Sequence, residues 1–216
     1  MNAAARGERA KRVVAGLRKL YPDARCELDH GSAHELLFAT ILSAQCTDVR
    51  VNATTKTLFK RYRTVSDYAS ADPAELEGLI RSCGFYRMKA KAIVETAKAL
   101  RDRFDGAVPG DMASLLTLRG VARKTANVVL GDAFGKAEGV VVDTHMKRLA
   151  WRMGLTEETD PVKVERDLMA CVPRKDWIFF SHAMILHGRR VCRALSPACG
   201  ACSLRAACAQ RGVDAD

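Results

Sequence analysis

The sequence predicts an all-α fold, and two observations carry this prediction. Apolar residues recur at helical spacing through most of the 216 residues, and capping residues or glycines stand where helices would begin or end. Residues 139–142, Gly-Val-Val-Val, are the one stretch with β-like character, and they are too short to build a sheet. Repeats and low-complexity linkers are absent from the sequence.

The first two predicted helices differ in how much of their surface is apolar. Apolar positions at helical spacing run from Val13 to Leu20, and the helix stops at Pro22, which cannot continue it. Residues 32–35 read Ser-x-x-Glu, a capping box that predicts the start of the second helix. Its residues 36–42 are apolar almost all round, which predicts a central, buried helix.

The later helices are marked at their ends. An Asp followed by a Pro places a capping carboxylate before the first helical position, and a glycine often follows the last one. These signals are Asp72-Pro73 and Asp160-Pro161 at helix starts, and Gly106 and Gly154 after the helices of residues 93–104 and 146–153.

The charge balance points to a nucleic acid partner without proving one. Lys and Arg outnumber Asp and Glu by 35 to 25, which gives a net charge of +10 and a pI near 9.4. A basic protein without a special partner is an equally open reading of charge alone. The basic residues are spread along the chain, which predicts a folded basic face rather than a basic tail. No apolar run reaches about 18 residues, so no membrane partner is expected.

Half of the eight cysteines lie in the final 25 residues, in a C-x6-C-x2-C-x5-C pattern. Thiolates at this spacing suit zinc or an iron–sulfur centre. A disulfide framework is disfavoured because no secretory segment precedes residue 20, so we expect a reducing compartment. Zinc sites usually contain two short Cys pairs, so the single pair here favours iron–sulfur without excluding zinc. The candidate metal ligands are Cys192, Cys199, Cys202 and Cys208, whereas Cys26, Cys46, Cys83 and Cys171 are predicted to be buried, unpaired packing residues.

Two further segments carry chemistry. Residues 118–130, Leu-Arg-Gly-Val-Ala-Arg-Lys-Thr-Ala-Asn-Val-Val-Leu, predict a glycine-bearing turn that leads into a helix. Such a turn points backbone N–H groups outward at a positive helix end, which suits a phosphate, although any corner between two helices gives the same pattern. Residues 142–145, Val-Asp-Thr-His, place Asp143 where the next helix begins, and a lone Asp there is usually an N-cap.

Nearly the whole chain resembles the endonuclease III family, which are helix-hairpin-helix DNA glycosylases with apurinic/apyrimidinic lyase activity. Five blocks carry the resemblance, and they occur in the family's order. They are residues 35–48 (ELLFATILSAQCTD), 84–90 (GFYRMKA), 123–130 (RKTANVVL), 142–145 (VDTH) and 185–189 (ILHGR), the last leading into the cysteine loop of residues 192–208.

This resemblance implies a two-lobed helix-hairpin-helix DNA glycosylase fold with a DNA groove between the lobes. A six-helix barrel lobe would span residues 27–136 and contain the hairpin at about residues 112–131. An iron–sulfur lobe would combine residues 1–26 and 137–216. It would hold one 4Fe–4S cluster on the four cysteines of the loop.

The resemblance also implies an activity and its residues. The protein would be a monomer in the cytoplasm, associated with the nucleoid, that removes oxidised pyrimidines from double-stranded DNA and cleaves at abasic sites. Lys124 would attack the sugar and form a Schiff base, while Asp143 would stabilise positive charge on the sugar and assist proton transfer. Gln45 would fill the space of the extruded nucleotide, and Phe85 would wedge into the base stack rather than pack in the core. The other expected DNA contacts are Leu118, Arg119, Gly120, Ala122, Arg123 and His145.

The hairpin turn departs from the family pattern. The family reads L-P-G-V-G, whereas residues 118–122 read Leu-Arg-Gly-Val-Ala. If Ala122 needs a positive φ, its Cβ costs about 1 kcal/mol or slightly more. Arg119 offers a compensating phosphate contact. We therefore expect somewhat weakened DNA anchoring.

Three other functions fit part of the sequence. An adenine-mismatch glycosylase shares the fold and the cluster but lacks the hairpin lysine, so Lys124 argues against it. A non-catalytic lesion-binding protein would lose Lys124 or Asp143, and both are present. A zinc-bearing DNA-binding module is distinguished by colour, because an iron–sulfur protein is brown.

Overall fold

The predicted all-α class is confirmed. The computed structural model describes residues 2–213, and within this range every regular element is a helix. Residues 139–142, the stretch with β-like character, lie in a loop. No helix in the described part of the chain is long and apolar enough to cross a bilayer. The α-helices are α1 (Ala3–Leu20), α2 (Ala33–Leu42), α3 (Asp48–Arg61), α4 (Val65–Ala69), α5 (Pro73–Ile80), α6 (Tyr86–Arg103), α7 (Met112–Leu115), α8 (Arg123–Phe134), α9 (Thr144–Arg152), α10 (Pro161–Cys171) and α11 (Trp177–Arg190).

The predicted helix starts coincide with observed N-caps. The Asp72 carboxylate accepts the Glu75 N–H of α5 at 2.8 Å, and the Asp160 carboxylate accepts the Lys163 N–H of α10 at 3.1 Å. At the start of α2, the Ser32 hydroxyl accepts the Glu35 N–H at 3.3 Å. The Glu35 carboxylate accepts from the N–H of Gly31 instead of Ser32, so the capping box closes one residue earlier than predicted.

The chain divides into two compact units. Cys26–Lys136 form one, here called the hairpin unit because it contains α7 and α8. The chain up to Arg25 joins the chain from Ala137 onward in the other, here called the cysteine unit. Each unit has its own hydrophobic core.

The core of the hairpin unit is built around α2. All seven residues from Leu36 to Leu42 are buried, which confirms the prediction of a central helix. Helices α3, α6 and α8 pack against α2. Helix α6 also contacts α4 and α5, so this 18-residue helix connects most of the unit.

The core of the cysteine unit lies between α1, α9, α10 and α11. Leu17 of α1, Leu149 of α9 and Phe180 of α11 are fully buried in it. The partly buried Cys192, Cys202 and Cys208 pack against the same core. The cysteine loop is therefore part of this unit's packing and not a peripheral tail.

Candidate functional site

Helix α6 packs against the hairpin turn between α7 and α8. Gly120 has φ 75°, a left-handed conformation, and a Cβ there would lie 3.2 Å from the Cβ of Ala92. The Thr96 hydroxyl of α6 donates to the Arg119 carbonyl at 2.7 Å. Glycine is thus required at position 120 for both conformation and close packing.

The strain expected at Ala122 is wrong. Ala122 is the N-cap of α8 with φ −90° and ψ 170°, an extended conformation that any residue adopts. Its methyl group, unlike the side chain of a Ser, Thr, Asp or Asn cap, accepts no hydrogen bond from the first N–H groups of α8. Arg123 and Lys124 are the first two residues of α8, and Lys124 is exposed.

Arg119 is exposed at the tip of the turn and forms an ion pair. Its Nη1 lies 2.9 Å from Oε2 of Glu95, with both side chains partly exposed to solvent. Such a surface pair contributes little to stability and exchanges readily for another anion. Leu118, the preceding residue, is buried, so its side chain anchors the turn from inside.

Three exposed non-glycine residues in the hairpin unit, Gln45, Phe85 and Asp105, have left-handed backbones, and the first two are predicted DNA contacts. Gln45 has φ 52° in the turn between α2 and α3, and Phe85 has φ 45° at the N-cap of α6. Non-glycine residues adopt this conformation at a cost of roughly 1–2 kcal/mol, and such strain concentrates at functional sites. The Phe85 side chain is 61% exposed, so the alternative of a core aromatic is wrong. Val49 and Met88, in the first turns of α3 and α6, are also exposed and add apolar surface beside the two turns.

Asp143 and His145 lie at the start of α9 in the cysteine unit. The Asp143 carboxylate accepts the Met146 N–H at 2.7 Å, so this residue is an N-cap, and it is half-buried. His145 Nδ1 lies 3.1 Å from Nη2 of Arg148, which can only donate. Burial lowers the pKa of His145, so the ring is neutral at pH 7 and offers a hydrogen bond rather than a charge.

The four cysteines of the loop surround one cavity. The lining of this cavity, which has a volume of about 20 Å³, includes Cys192, Cys199, Cys202 and Cys208. Within residues 2–213, no group of three or more His, Cys, Asp or Glu side chains is close enough to hold one metal ion. The shared lining brings four soft thiol groups to one place, and this donor set suits a thiolate-bound metal centre.

Hydrogen-bond donors surround these sulfurs. The Gln210 N–H donates to the Cys208 sulfur at 3.3 Å, and Nη1 of Arg152 donates to the Cys192 sulfur at 3.5 Å. Burial raises the pKa values of the Cys202 and Cys208 thiols, and the neighbouring cysteines raise them further. The surroundings therefore disfavour free thiolates at these two positions, and a cationic centre would offset this cost.

Two arginines of α9 bind the cysteine loop, and sequence reasoning did not single them out as site residues. Nη2 of Arg148 donates to the carbonyls of Gly188 and Cys192 at 3.0 and 2.9 Å. Arg152, which is buried, donates to the carbonyls of Arg193 and Ala194 at 2.7 and 2.8 Å. Their i, i+4 spacing places both on one face of α9, and this spacing is the sequence signal that could have identified them. The helix that begins at Asp143 is thus bonded to the cysteine loop.

His187 of α11 joins the loop to α1. Its Nε2 lies 3.6 Å from the Cys202 sulfur, and its Nδ1 lies 3.1 Å from the Tyr21 hydroxyl. Burial lowers the pKa of His187 to about 4, so the ring is neutral near pH 7.

The remaining cysteines match their prediction in part. Cys26, Cys46, Cys83 and Cys171 are all unpaired, as expected. Only Cys83 is buried, whereas the other three are partly exposed, so the prediction of full burial was wrong for them.

Comparison with known proteins identifies the class first. A family model described as "HhH-GPD superfamily base excision DNA repair protein" matches residues 38–174. This range contains the hairpin turn, Lys124 and Asp143. The fold and the hairpin therefore define a helix-hairpin-helix protein of base excision DNA repair.

Relatives and solved structures identify the family. Endonuclease III from Synechocystis sp. is 53% identical over 205 residues, which cover 95% of this chain and 94% of that protein. Endonuclease III from Escherichia coli K12 is 38% identical over 208 residues, 96% of each chain. A structure of a trapped endonuclease III–DNA covalent intermediate is 43% identical and matches with a TM-score of 0.90 over 94% of this chain and 96% of that one. The chain belongs to the endonuclease III family.

Family membership defines the reaction class. The protein is a DNA glycosylase and apurinic/apyrimidinic lyase of base excision repair, and DNA is its partner. The family is known for a 4Fe–4S cluster.

Arg119→Ala is expected to weaken binding to an abasic-analogue duplex. If the guanidinium exchanges Glu95 for a phosphate, its loss lowers the slope of log K against log salt by about one unit. Glu95→Gln should act in the opposite direction, because it frees Arg119 from the 2.9 Å ion pair. Salt titrations of binding test both variants, with Ala122→Gly as a control expected to leave affinity unchanged. An unchanged slope in Arg119→Ala would place that side chain away from DNA.

Proposed function

We propose that this protein removes oxidised pyrimidines from duplex DNA and cleaves the strand by β-elimination through a Schiff base on Lys124. The observation that carries the proposal is the exposed Lys124 in the first turn of α8, directly after a turn fixed by Gly120, Thr96 and Ala92. The N-terminal amides of α8 provide a phosphate site beside the amine. Phosphate binding there fixes the DNA strand relative to the nucleophile.

The proposed chemistry uses one amine and one carboxylate. The neutral amine of Lys124 attacks the sugar C1′, and the damaged base leaves with the bonding electrons and a proton. Opening of the sugar ring gives a protonated Schiff base, which acidifies the C2′ hydrogen. Loss of that proton expels the 3′ phosphate, and water then hydrolyses the imine and regenerates the lysine. Asp143 stabilises the positive charge that develops on the sugar and assists the proton transfers.

Base extrusion is assigned to the left-handed turns at Gln45 and Phe85. The reacting nucleotide must leave the stack before the amine reaches C1′. Gln45 is polar and exposed, which suits a hydrogen bond to the orphaned base opposite the vacated space. Phe85 is apolar and 61% exposed, which suits insertion between bases.

We also propose that the four cysteines of the loop hold one 4Fe–4S cluster. The cavity that the four cysteines line and the hydrogen-bond donors to their sulfurs support a thiolate-bound centre, and the family's 4Fe–4S cluster favours iron–sulfur over zinc. When bound, such a group supplies a covalent crosslink that closes residues 192–208 into a fixed loop. The arginines at 148 and 152 then bind a loop of defined shape. We further propose that the protein acts as a monomer.

A panel of duplexes tests the substrate assignment. Duplexes carrying an oxidised pyrimidine, an adenine opposite an oxidised guanine, or no damage are incubated with the purified protein. Cleavage of the first, with a 3′ unsaturated aldehyde product, is expected. Release of adenine from the second would favour the adenine-mismatch alternative, and tight binding without cleavage would favour a lesion-binding protein.

Asp143→Asn is expected to lose at least about tenfold in rate while retaining DNA binding and thermal stability. Asn is as good an N-cap as Asp, so the hydrogen bond to the Met146 N–H is kept and only the charge is removed. Single-turnover kinetics on an abasic duplex measure the effect. Asp160→Asn, which alters the N-cap of α10 in the same way, is the matched control and should be fully active. Equal activity of the two variants would remove Asp143 from the chemistry.

A further inference from the structure

Lys89 of α6 is a buried lysine whose side chain bonds to backbone. Its side chain is almost inaccessible, with 5% of the residue exposed. Its Nζ donates to the carbonyls of Leu42 and Cys83, each at 2.8 Å. Burial lowers the pKa of Lys89, which shows that the surroundings disfavour its charge. Burying an amine is unfavourable, and the two hydrogen bonds that the Lys89 amine donates offset this cost.

The two carbonyls lie just before the left-handed turns at Gln45 and Phe85. Leu42 is the last residue of α2, three positions before Gln45. Cys83 ends the 3₁₀ helix Arg81–Cys83, two positions before Phe85. The backbone N–H of Lys89 also donates to the Phe85 carbonyl at 3.0 Å. One residue therefore bonds the approaches to both turns.

These bonds fix segments that are otherwise weakly determined. A carbonyl at a helix end has no partner in its own helix, and a left-handed Gln or Phe persists only where the surroundings enforce it. Gly84, between Cys83 and Phe85, has φ 67° and ψ 160°, a region open almost only to glycine. The Lys89 amine joins the end of α2 directly to the segment that leads into the Phe85 turn.

We propose that Lys89 is a positioning residue that holds the Gln45 and Phe85 turns in the mutual placement needed to insert both side chains into DNA. This proposal rests on the proposed function, because insertion matters only if a nucleotide is extruded. Lys89 does not touch the reacting sugar in this role. It acts through Gln45 and Phe85, so its loss affects substrates that need extrusion and spares those that do not.

The test compares Lys89→Met with Lys98→Met on two substrates. Met keeps the length of the lysine stem and removes the donor, while Lys98 is exposed on the opposite side of the same helix. On a lesion-bearing duplex, Lys89→Met is expected to lose roughly tenfold to a hundredfold in single-turnover rate, the range for misplaced groups. On a single-stranded abasic oligonucleotide its rate should equal that of the parent. Equal losses on both substrates, or no loss on either, would overturn the proposal.

A fluorescence measurement tests the role of Lys89 in insertion independently of catalysis. 2-Aminopurine placed opposite an abasic analogue becomes brighter when insertion unstacks it, and this signal needs binding but no catalysis. The parent and Lys98→Met should show the increase, and Lys89→Met should lose most of it at saturating protein. An undiminished increase in Lys89→Met would overturn the role of Lys89 even if the proposed substrate proves wrong. An inactive parent on both substrates would instead overturn the proposed function.

A double-mutant comparison guards against a general folding defect. If Lys89 acts through the turns, Lys89→Met should cost little more in a protein that already carries Gln45→Ala and Phe85→Ala. A full additional loss in that background would show that Lys89 acts elsewhere and would overturn the proposal. Lys89→Gln, whose shorter amide can still donate, is the variant of choice if the methionine variant does not fold, and it is judged by the same duplex and single-strand rates.

Discussion

Lys124→Gln is expected to abolish covalent trapping of the protein on DNA by borohydride while leaving DNA binding intact. Borohydride reduces a Schiff base to a stable amine, so trapping reports the lysine that forms it. Gln keeps the polarity of position 124 but has no nucleophilic amine. Lys124 is exposed in the first turn of α8, so its replacement disturbs no packing and the hairpin should keep its phosphate site.

The measurement is a gel of protein–DNA adducts formed on abasic and lesion-bearing duplexes, beside a binding titration for each variant. Lys98→Gln removes an exposed amine elsewhere in the same unit and should trap as well as the parent. Strand cleavage by Lys124→Gln should fall to the background level of the uncatalysed reaction. Trapping of Lys124→Gln at the level of the parent would move the nucleophile to another residue.

Sequence signals predicted the local structure because their partners lie within one helical turn. The N-caps at Asp72 and Asp160 each bond an N–H three residues ahead, and residue type alone specifies such a bond. The gathering of four cysteines around one cavity was also predictable, because they lie within 17 residues of sequence. The all-α class followed from the same kind of short-range pattern.

The contacts that shape the site could not be predicted, because their acceptors are backbone carbonyls. Lys89 bonds a carbonyl 47 residues away, and Arg152 bonds one 41 residues away. Every residue has a backbone carbonyl, so residue type does not indicate which carbonyl accepts a side-chain hydrogen bond. Backbone conformation could not be predicted from residue type either. Nothing in the sequence indicated that Gln45 is left-handed. The extended conformation of Ala122, with φ −90°, contradicted the expectation drawn from the glycine that the family has at this position.

Helix α6 organises the features of the hairpin unit that are assigned to DNA. Phe85 is its N-cap, Lys89 bonds the approaches to both left-handed turns, and Thr96 bonds the hairpin turn two helical turns later. A rigid helix keeps residues seven positions apart at a fixed separation of about 10 Å. The spacing between the proposed base-insertion and phosphate-binding sites is thus set by one element rather than by loops.

Cys202→Ser is expected to give a protein that has lost its visible iron–sulfur absorbance and whose cysteine loop has loosened. A serine hydroxyl is a poor substitute for a soft thiolate ligand. Metal-ligand bonds contribute to folding free energy, and a loss of about 3 kcal/mol would lower the Tm by roughly 6–12 °C for a protein of this size. The loosening should be confined to the cysteine unit, because Cys192, Cys202 and Cys208 pack against its core.

Iron and sulfide analysis, thermal melts and amide hydrogen exchange across residues 192–208 measure these effects, and DNA binding should weaken in parallel. Cys171→Ser is the matched control, because Cys171 is an unpaired, partly buried cysteine of the same unit. It should keep its iron and its melting temperature. The melting temperature of Arg152→Met should lie between those of Cys202→Ser and Cys171→Ser. This variant removes the donors to the Arg193 and Ala194 carbonyls but leaves every thiol in place. One zinc and no iron in the parent protein would contradict the cluster assignment, and full iron content in Cys202→Ser would remove Cys202 from the ligand set.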